Sequence, residues 1–187
     1  MEDTIIIVEG PQGAGKTTFT NYLREHMPAT DLYRLAGIKD KTKTGFQKTS
    51  NRYFALLEYM SKCTDVNMIF DRTFFTDEIY SRLGFKEYSF TETYNKLVEE
   101  LDKLNFKIYF VVLYLENEKL YETRIKRNKH QYQKFEVESS IKQQREYLKM
   151  ADEISKTTEN IKVIRFANDT KEQFNFQVNK YFGNLFK

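Results

Sequence analysis

Three short stretches of this sequence carry residue types that handle phosphate. The first is Gly10-Pro11-Gln12-Gly13-Ala14-Gly15-Lys16-Thr17-Thr18, a Gly-x4-Gly-Lys-Thr pattern between an apolar run and a helical one. Its glycines let the backbone curl so that N–H groups face phosphate oxygens. Lys16 has the reach and charge for the β- and γ-phosphates, and the Thr17 hydroxyl suits Mg²⁺. The second is Asp71-Arg72, which closes the apolar run Val66 to Phe70. A carboxylate there can orient a metal ion or act as a base, and an arginine beside it can grip an oxyanion with two N–H groups. The third is Leu120 to Lys129, where Arg124 and Arg127 are i,i+3 neighbours on one helix face. Two guanidiniums there can neutralise the charge that spreads over a transferring phosphoryl group. Lys126 and Lys129 read as a solvated face.

These residues act together only if the chain brings them to one edge. Short β-branched or apolar runs predict strands at Thr4–Val8, Leu32–Leu35, Val66–Phe70, Phe106–Leu115 and Ile161–Phe166. Helical spacing predicts helices at Lys16–His26, Phe46–Lys62, Thr73–Leu83, Thr91–Leu104, Glu118–Arg127, Glu138–Thr157 and Lys171–Phe186. The Lys-rich stretch Gly37–Gly45 reads as a loop. Strands alternating with helices predict an α/β fold: a three-layer P-loop fold with a central parallel sheet of about five strands, flanked by helices and an Arg-bearing lid over about 124–138. In such sheets ligands bind beyond the carboxyl ends of the strands, which is where the phosphate loop and Asp71-Arg72 fall.

Length and composition narrow the classes further. A chain of 187 residues, 40% hydrophobic, suits one domain. The formal net charge of +3 is explained by cations in a phosphate cleft; a dedicated duplex binder would carry a clearer basic stripe. A single cysteine, Cys63, allows no intrachain disulfide and points to the reducing cytoplasm. No apolar run approaches the length of a membrane span, so no membrane partner is expected. The two histidines, His26 and His130, have no metal-ligand spacing. A switch GTPase would add Asp-x-x-Gly and Asn-Lys-x-Asp signatures. Here the late loop reads Asn168-Asp169-Thr170-Lys171. A compact phosphotransferase remains.

Glu9-Gly10-Pro11-Gln12-Gly13-Ala14-Gly15-Lys16-Thr17-Thr18 and Asp71-Arg72-x3-Thr76-x3-Tyr80 resemble the corresponding segments of the thymidylate kinase and deoxynucleoside kinase families. The Arg124/Arg127 segment resembles their lid. The resemblance implies ATP as donor, Mg²⁺ held by Thr17 and Asp71, and catalysis by Lys16, Asp71, Arg72, Arg124 and Arg127. It implies an acceptor pocket with Gln47, Arg52, Phe54 and Tyr53 as candidates on the Phe46–Lys62 helix, together with Arg72 and Tyr80, and adenine cradled by the loop Ala167–Thr170. It also implies a homodimer. Three departures bear on the acceptor: Gln12 stands where thymidylate kinases usually carry an acid, Asp71 where deoxynucleoside kinases usually carry Glu, and no Arg-Glu-Pro segment follows the second strand. The acceptor expected first is a deoxynucleoside monophosphate, a pyrimidine one before others. Alternatives are a deoxynucleoside phosphorylated on its 5′-hydroxyl, a hydroxylated base or end in DNA, or a nucleotide-binding module without turnover.

Overall fold

The computed structural model describes residues 3–128 and 134–186, with all side chains in those ranges except at 128, 134 and 135. In chain order the elements are β1 (Thr4–Glu9), α1 (Lys16–His26), β2 (Thr30–Arg34), α2 (Lys43–Lys62), β3 (Asn67–Asp71), α3 (Phe74–Arg82) and α4 (Thr91–Asp102). They continue with β4 (Lys107–Tyr114), α5 (Leu120–Asn128), α6 (Lys134–Thr157), β5 (Ile161–Ala167) and α7 (Lys171–Phe182), then a 3-10 turn, Gly183–Leu185.

The five strands form one sheet in the order β2-β3-β1-β4-β5. Every pairing is parallel. Such a sheet must be covered on both faces, which is why β1 is buried along its whole length. Its side chains alternate between two cores. Ile5 and Ile7 join Leu57, Phe75, Leu97 and Met150 on the face covered by α2, α3, α4 and α6. Ile6 and Val8 join Phe19, Leu23, Tyr121 and Phe166 on the face covered by α1, α5 and α7. Full burial of each such side chain contributes about 1.5–3 kcal/mol. The result is the expected three-layer α/β architecture.

Most helix and strand limits fall within a few residues of expectation, and two helices start earlier. Helix α2 starts at Lys43, inside the stretch expected to be a loop. Asp40 accepts from the backbone N–H and the hydroxyl of Thr42, at 2.9 and 2.6 Å, which sets the turn into the first helical residues. Gly45 suits this first turn, because a side chain there would collide with the backbone of Asp40. Helix α6 begins at Lys134, earlier than the expected Glu138. The expected lid over about 124–138 includes 129–133, which lie outside the described residues, as does His130.

Parallel register brings the chemistry to one edge. Val8 is level with Asp71 on β3, and Glu9 is level with Val112 on β4. The phosphate loop leaves β1 at the middle of the sheet with Gly10 at φ 146°, a conformation that favours glycine. A Cβ there would lie 2.6 Å from the Leu113 carbonyl oxygen. Gly10→Ala is therefore expected to cost about 1–3 kcal/mol, lowering Tm by roughly 2–10 °C in calorimetry. An unchanged Tm would contradict this account of the loop exit.

Candidate active site

A cleft of about 1020 Å³ opens over the carboxyl edge of the sheet. Its floor is the phosphate loop: Gln12, Gly13, Gly15, Lys16, Thr17 and Thr18 all line it. Gly10, Pro11 and Ala14 are buried and shape the loop from behind. Lys16 Nζ donates to the Pro11 carbonyl at 2.8 Å, which holds the ammonium folded back across the loop. Burial, and then the charge of Arg72, push its pKa down to about 7. A polyanion bound beside the ammonium would oppose both effects and favour its charged form.

Asp71 and Arg72 stand on the next wall. Asp71 is 7% exposed and lies 3.6 Å from the Arg34 guanidinium at the end of β2. Arg72 has a left-handed backbone, φ 71°, rare for a side chain of this size. Two backbone contacts hold it there: its own N–H donates to Val8 O at 3.1 Å, and the following N–H, of Thr73, donates to Glu9 at 2.7 Å. Glu9 is fully buried. It also accepts from the Thr76 hydroxyl at 2.6 Å and from the Tyr147 hydroxyl of α6 at 3.2 Å. Burial pushes its pKa up to about 7, against the opposing effects of the Thr76 and Thr73 hydrogen bonds and of the Arg72 and Lys16 charges.

The opposite wall is α5 and the loop after β5. Arg124 lines the cleft and donates to three carbonyls: Gly13 of the phosphate loop at 3.2 Å, Asp169 at 3.1 Å, and Asn168. It thus clamps the phosphate loop to the loop expected to cradle a base. Asn168 adds a second tie, from its side-chain amide to Ala14 O at 2.8 Å. Asp169 accepts from the backbone N–H groups of Glu116 and Asn117, both at 2.8 Å, so its carboxylate is committed to the β4–α5 turn. Arg127 lines the same cleft from an exposed position.

A second pocket, of about 260 Å³, lies beyond Arg72. Arg72 lines both cavities. Tyr53, Tyr80 and Phe85 form aromatic walls, and Thr73 and Thr76 lie on the side towards Glu9. Tyr80, expected at the acceptor, lines this cavity. Gln47, Arg52 and Phe54 are not among the residues lining either cavity. Gln47 is exposed and donates to Asn51 at 2.9 Å, Arg52 donates to the Ala36 carbonyl, and Phe54 packs against the core. Helical phase explains the difference: the α2 face that turns inward at this level carries Tyr53, Leu57 and Met60, one position away from Arg52 and Phe54.

Glu9, Arg34, Asp77 and Lys86 complete the surroundings and were not picked out by sequence spacing. The partners of Glu9 lie 64 to 138 residues away, so no local pattern marks it. For Arg34, the available signal was an arginine at the carboxyl end of a strand. For a metal, the Thr17 hydroxyl and the Asp71 carboxylate both line the large cleft. One carboxylate and one hydroxyl, completed by phosphate oxygens and water, is a hard-oxygen set that fits Mg²⁺.

No protein-family model matches this chain, and no curated protein matches it significantly in sequence. Solved structures do resemble it. Polyphosphate kinase 2 from Arthrobacter aurescens TC1 superposes with a TM-score of 0.72 at 15% identity, over 99% of this chain and 68% of that one. The YorR protein of Bacillus subtilis, solved with phosphorylated GDP, gives 0.68 at 16% identity, over 97% and 96%. Thymidylate kinase from Candida albicans gives 0.57 at 14%, over 98% and 92%. What these structures share with this chain is the fold.

The buried carboxyl of Glu9 makes a prediction about stability. Its folded pKa of about 7 lies above the ordinary value of 4.5, so the folded state binds this proton more tightly than the unfolded one. The resulting stabilisation is fully present below pH 4.5 and is lost as pH rises through about 7. Urea midpoints measured at pH 5.5 and pH 8 should fall more steeply with pH in the natural protein than in Glu9→Gln. Equal slopes would show that Glu9 titrates normally.

Proposed function

We propose that this protein is a kinase that moves the γ-phosphoryl group of ATP to the 5′-phosphate of a deoxynucleoside monophosphate, a pyrimidine one by preference. The observation that carries this reading is the position of Arg72, which lines both the large cleft over the phosphate loop and the smaller pocket beside it. A triphosphate in the first and a nucleotide in the second would meet at its guanidinium.

In this reading Lys16 releases the Pro11 carbonyl and pairs with the β- and γ-phosphates. An oxygen of the acceptor phosphate attacks the γ-phosphorus, and the bond to the β–γ bridging oxygen breaks, leaving ADP. Arg72 spans the two phosphates, and Arg127 approaches from the α5 side. Arg124 holds the phosphate loop in register with the Ala167–Thr170 loop while contributing its own charge to the cleft. Thr17 and Asp71 would hold Mg²⁺, which draws charge away from the β- and γ-phosphates. The pocket volume, about 260 Å³, lies below the usual ligand-pocket range of about 300–1,000 Å³ and favours the smaller, single-ring base.

A nucleotide acceptor is favoured over a nucleoside because the end of β2 presents a cation. Arg34 lines the donor cleft beside Asp71, and Lys39 and Lys41 rim the acceptor pocket. These charges suit an acceptor that already carries phosphate. We place this activity in the cytoplasm, in keeping with the single cysteine; among the described residues no helix is long and apolar enough to cross a membrane. The homodimer implied by the resemblance is a proposal that light scattering reads directly.

An ATP-consumption screen over deoxynucleosides, deoxynucleoside monophosphates and a short oligonucleotide tests the reading. ADP should form together with a nucleoside diphosphate. Turnover confined to nucleosides or to the oligonucleotide would replace this acceptor, and nucleotide binding without any turnover would replace the enzyme. Lys16→Ala should lower transfer by roughly 10²–10³-fold or more, and retained turnover would contradict the assignment of the loop.

A further inference from the structure

The surface around the mouth of the second pocket carries more positive charge than the transfer uses. Residues Lys39 to Arg52 hold five cations, Lys39, Lys41, Lys43, Lys48 and Arg52, and one acid, Asp40. The whole chain has a formal net charge of only +3, so its positive excess is concentrated in this stretch. Lys39 and Lys41 line the pocket. Lys43 and Lys48 are exposed and line neither the pocket nor the large cleft.

An exposed lysine is ordinarily a solvated one, and two features set these apart. The first is where they are held. Arg52 of α2 donates to the Ala36 carbonyl, and the Glu87 N–H donates to the Lys41 carbonyl at 3.1 Å. The β2–α2 connection is thereby tied to α2 and to the α3–α4 connection, which supply Tyr53 and Phe85 to the pocket walls. Lys48 Nζ stands 3.6 Å from Asp40 Oδ2, so the α2 lysine and the loop lysines meet in one collar. The second feature is the sign of the local field. Lys43 is the first residue of α2, and the first turn of that helix has no acid. A helix N-terminus carries partial positive charge and is stabilised by Asp or Glu; a lysine there gives up that stabilisation and adds charge of the same sign. The acids on the two connections are Asp40, paired with Lys48, and the exposed Glu87. They are outnumbered by the cations.

Resting on the reading that the second pocket takes a nucleotide, we propose that this collar is an electrostatic guide, whose outer lysines, Lys43 and Lys48, speed the entry of an anionic mononucleotide without touching it once it is bound. A cleft rimmed by one sign of charge raises the on-rate of an oppositely charged ligand by about 10–10³-fold. The effect works through space, so it reaches residues that line no cavity. It fades with salt, as the Debye length shortens from about 30 Å at 0.01 M to about 3 Å at 1 M. A cavity of about 260 Å³ takes one nucleotide unit, so the ligand guided there is a mononucleotide and not a polynucleotide strand. A guide of this kind changes the rate of encounter. It raises kcat/KM and leaves turnover at saturation alone.

The test is stopped-flow association of dTMP, followed through tyrosine fluorescence in a chain without tryptophan, with transfer from ATP measured in parallel. In the natural protein the association rate constant should fall by about tenfold or more between about 10 mM and about 0.5 M NaCl. In the double variant Lys43→Gln, Lys48→Gln it should be about 3–10-fold lower at the low salt and equal to the natural value at the high salt, with dissociation unchanged within about twofold. Transfer by that variant should show a raised KM and an unchanged kcat. Lys156→Gln, Lys162→Gln removes the same charge from exposed positions at the amino edge of the sheet, and should leave association as it was. Association insensitive to salt, an equal slowing in the amino-edge variant, or a change confined to dissociation would overturn the proposal. So would salt-sensitive binding of a single-stranded oligonucleotide in preference to dTMP. If association behaves as described but no ADP forms, the guide stands and the kinase reading fails. If transfer to dTMP occurs with association unmoved by salt and by the collar variant, the guide fails and the kinase reading stands. No binding of dTMP would overturn both.

Discussion

The Glu9 carboxylate ties together the elements whose ends form the site. It sits at the last residue of β1, at the centre of the sheet, with no exposure to solvent. Its oxygens accept from the Thr73 backbone, the Thr76 hydroxyl of α3 and the Tyr147 hydroxyl of α6. A buried carboxylate without partners would cost several kcal/mol, so these donors are needed for it to exist there. Because they come from three parts of the chain, satisfying it fixes three things together: the turn that carries Arg72, the start of α3, and the level at which α6 crosses the sheet edge.

Consequences run outward from that point. A left-handed arginine costs about 1–3 kcal/mol and persists only where its surroundings hold it. Here the N–H groups on either side of the Arg72 Cα–C unit are anchored, one to Val8 and one to Glu9. Helix α6 is fixed along one face. Ser140 donates to the Gln12 carbonyl at 3.1 Å, Gln144 bridges the backbone N–H and carbonyl of Leu115 at 2.9 and 3.0 Å, and Tyr147 meets Glu9. These residues recur at i, i+4 and i+7, one stripe of a helix. From Ser140 onward α6 is thus part of the frame, wired to the phosphate loop and to the ends of β4 and β1. Arg124 does the same work on the donor side, joining Gly13 to the loop after β5.

Much of this arrangement is legible in the sequence because local rules set it. Strand β1 reads as a buried run, the glycine-rich loop follows, and α1 stops before Met27-Pro28; each depends on residues a few positions apart. The same is true of Asp71-Arg72 at a strand end. The acceptor pocket is less legible. Whether Tyr53 or its neighbours Arg52 and Phe54 face inward depends on helical phase against the sheet, which spacing within α2 alone does not fix. Lys86 lies in a connection between helices, and Asp77 in the middle of α3, where an acid usually faces solvent. Only the packing of α2 against α3 and α4 brings Tyr53, Asp77 and Lys86 to one wall. Spacing with Arg127 points Arg124 towards a phosphate, and the three backbone carbonyls that its guanidinium also meets are marked by no sequence pattern.

The central claim is that two cavities joined at Arg72 hold a phosphoryl donor and a nucleotide acceptor. A crystal structure with Mg²⁺, a non-hydrolysable ATP analogue and dTMP tests it most directly. The account predicts the triphosphate along the phosphate loop with Lys16 turned from Pro11 to the γ-phosphate. It predicts dTMP in the second pocket, with its phosphate at Arg72. A nucleotide bound only in the large cleft, with Lys16 still on the Pro11 carbonyl and the second pocket unfilled at saturating dTMP, would contradict it.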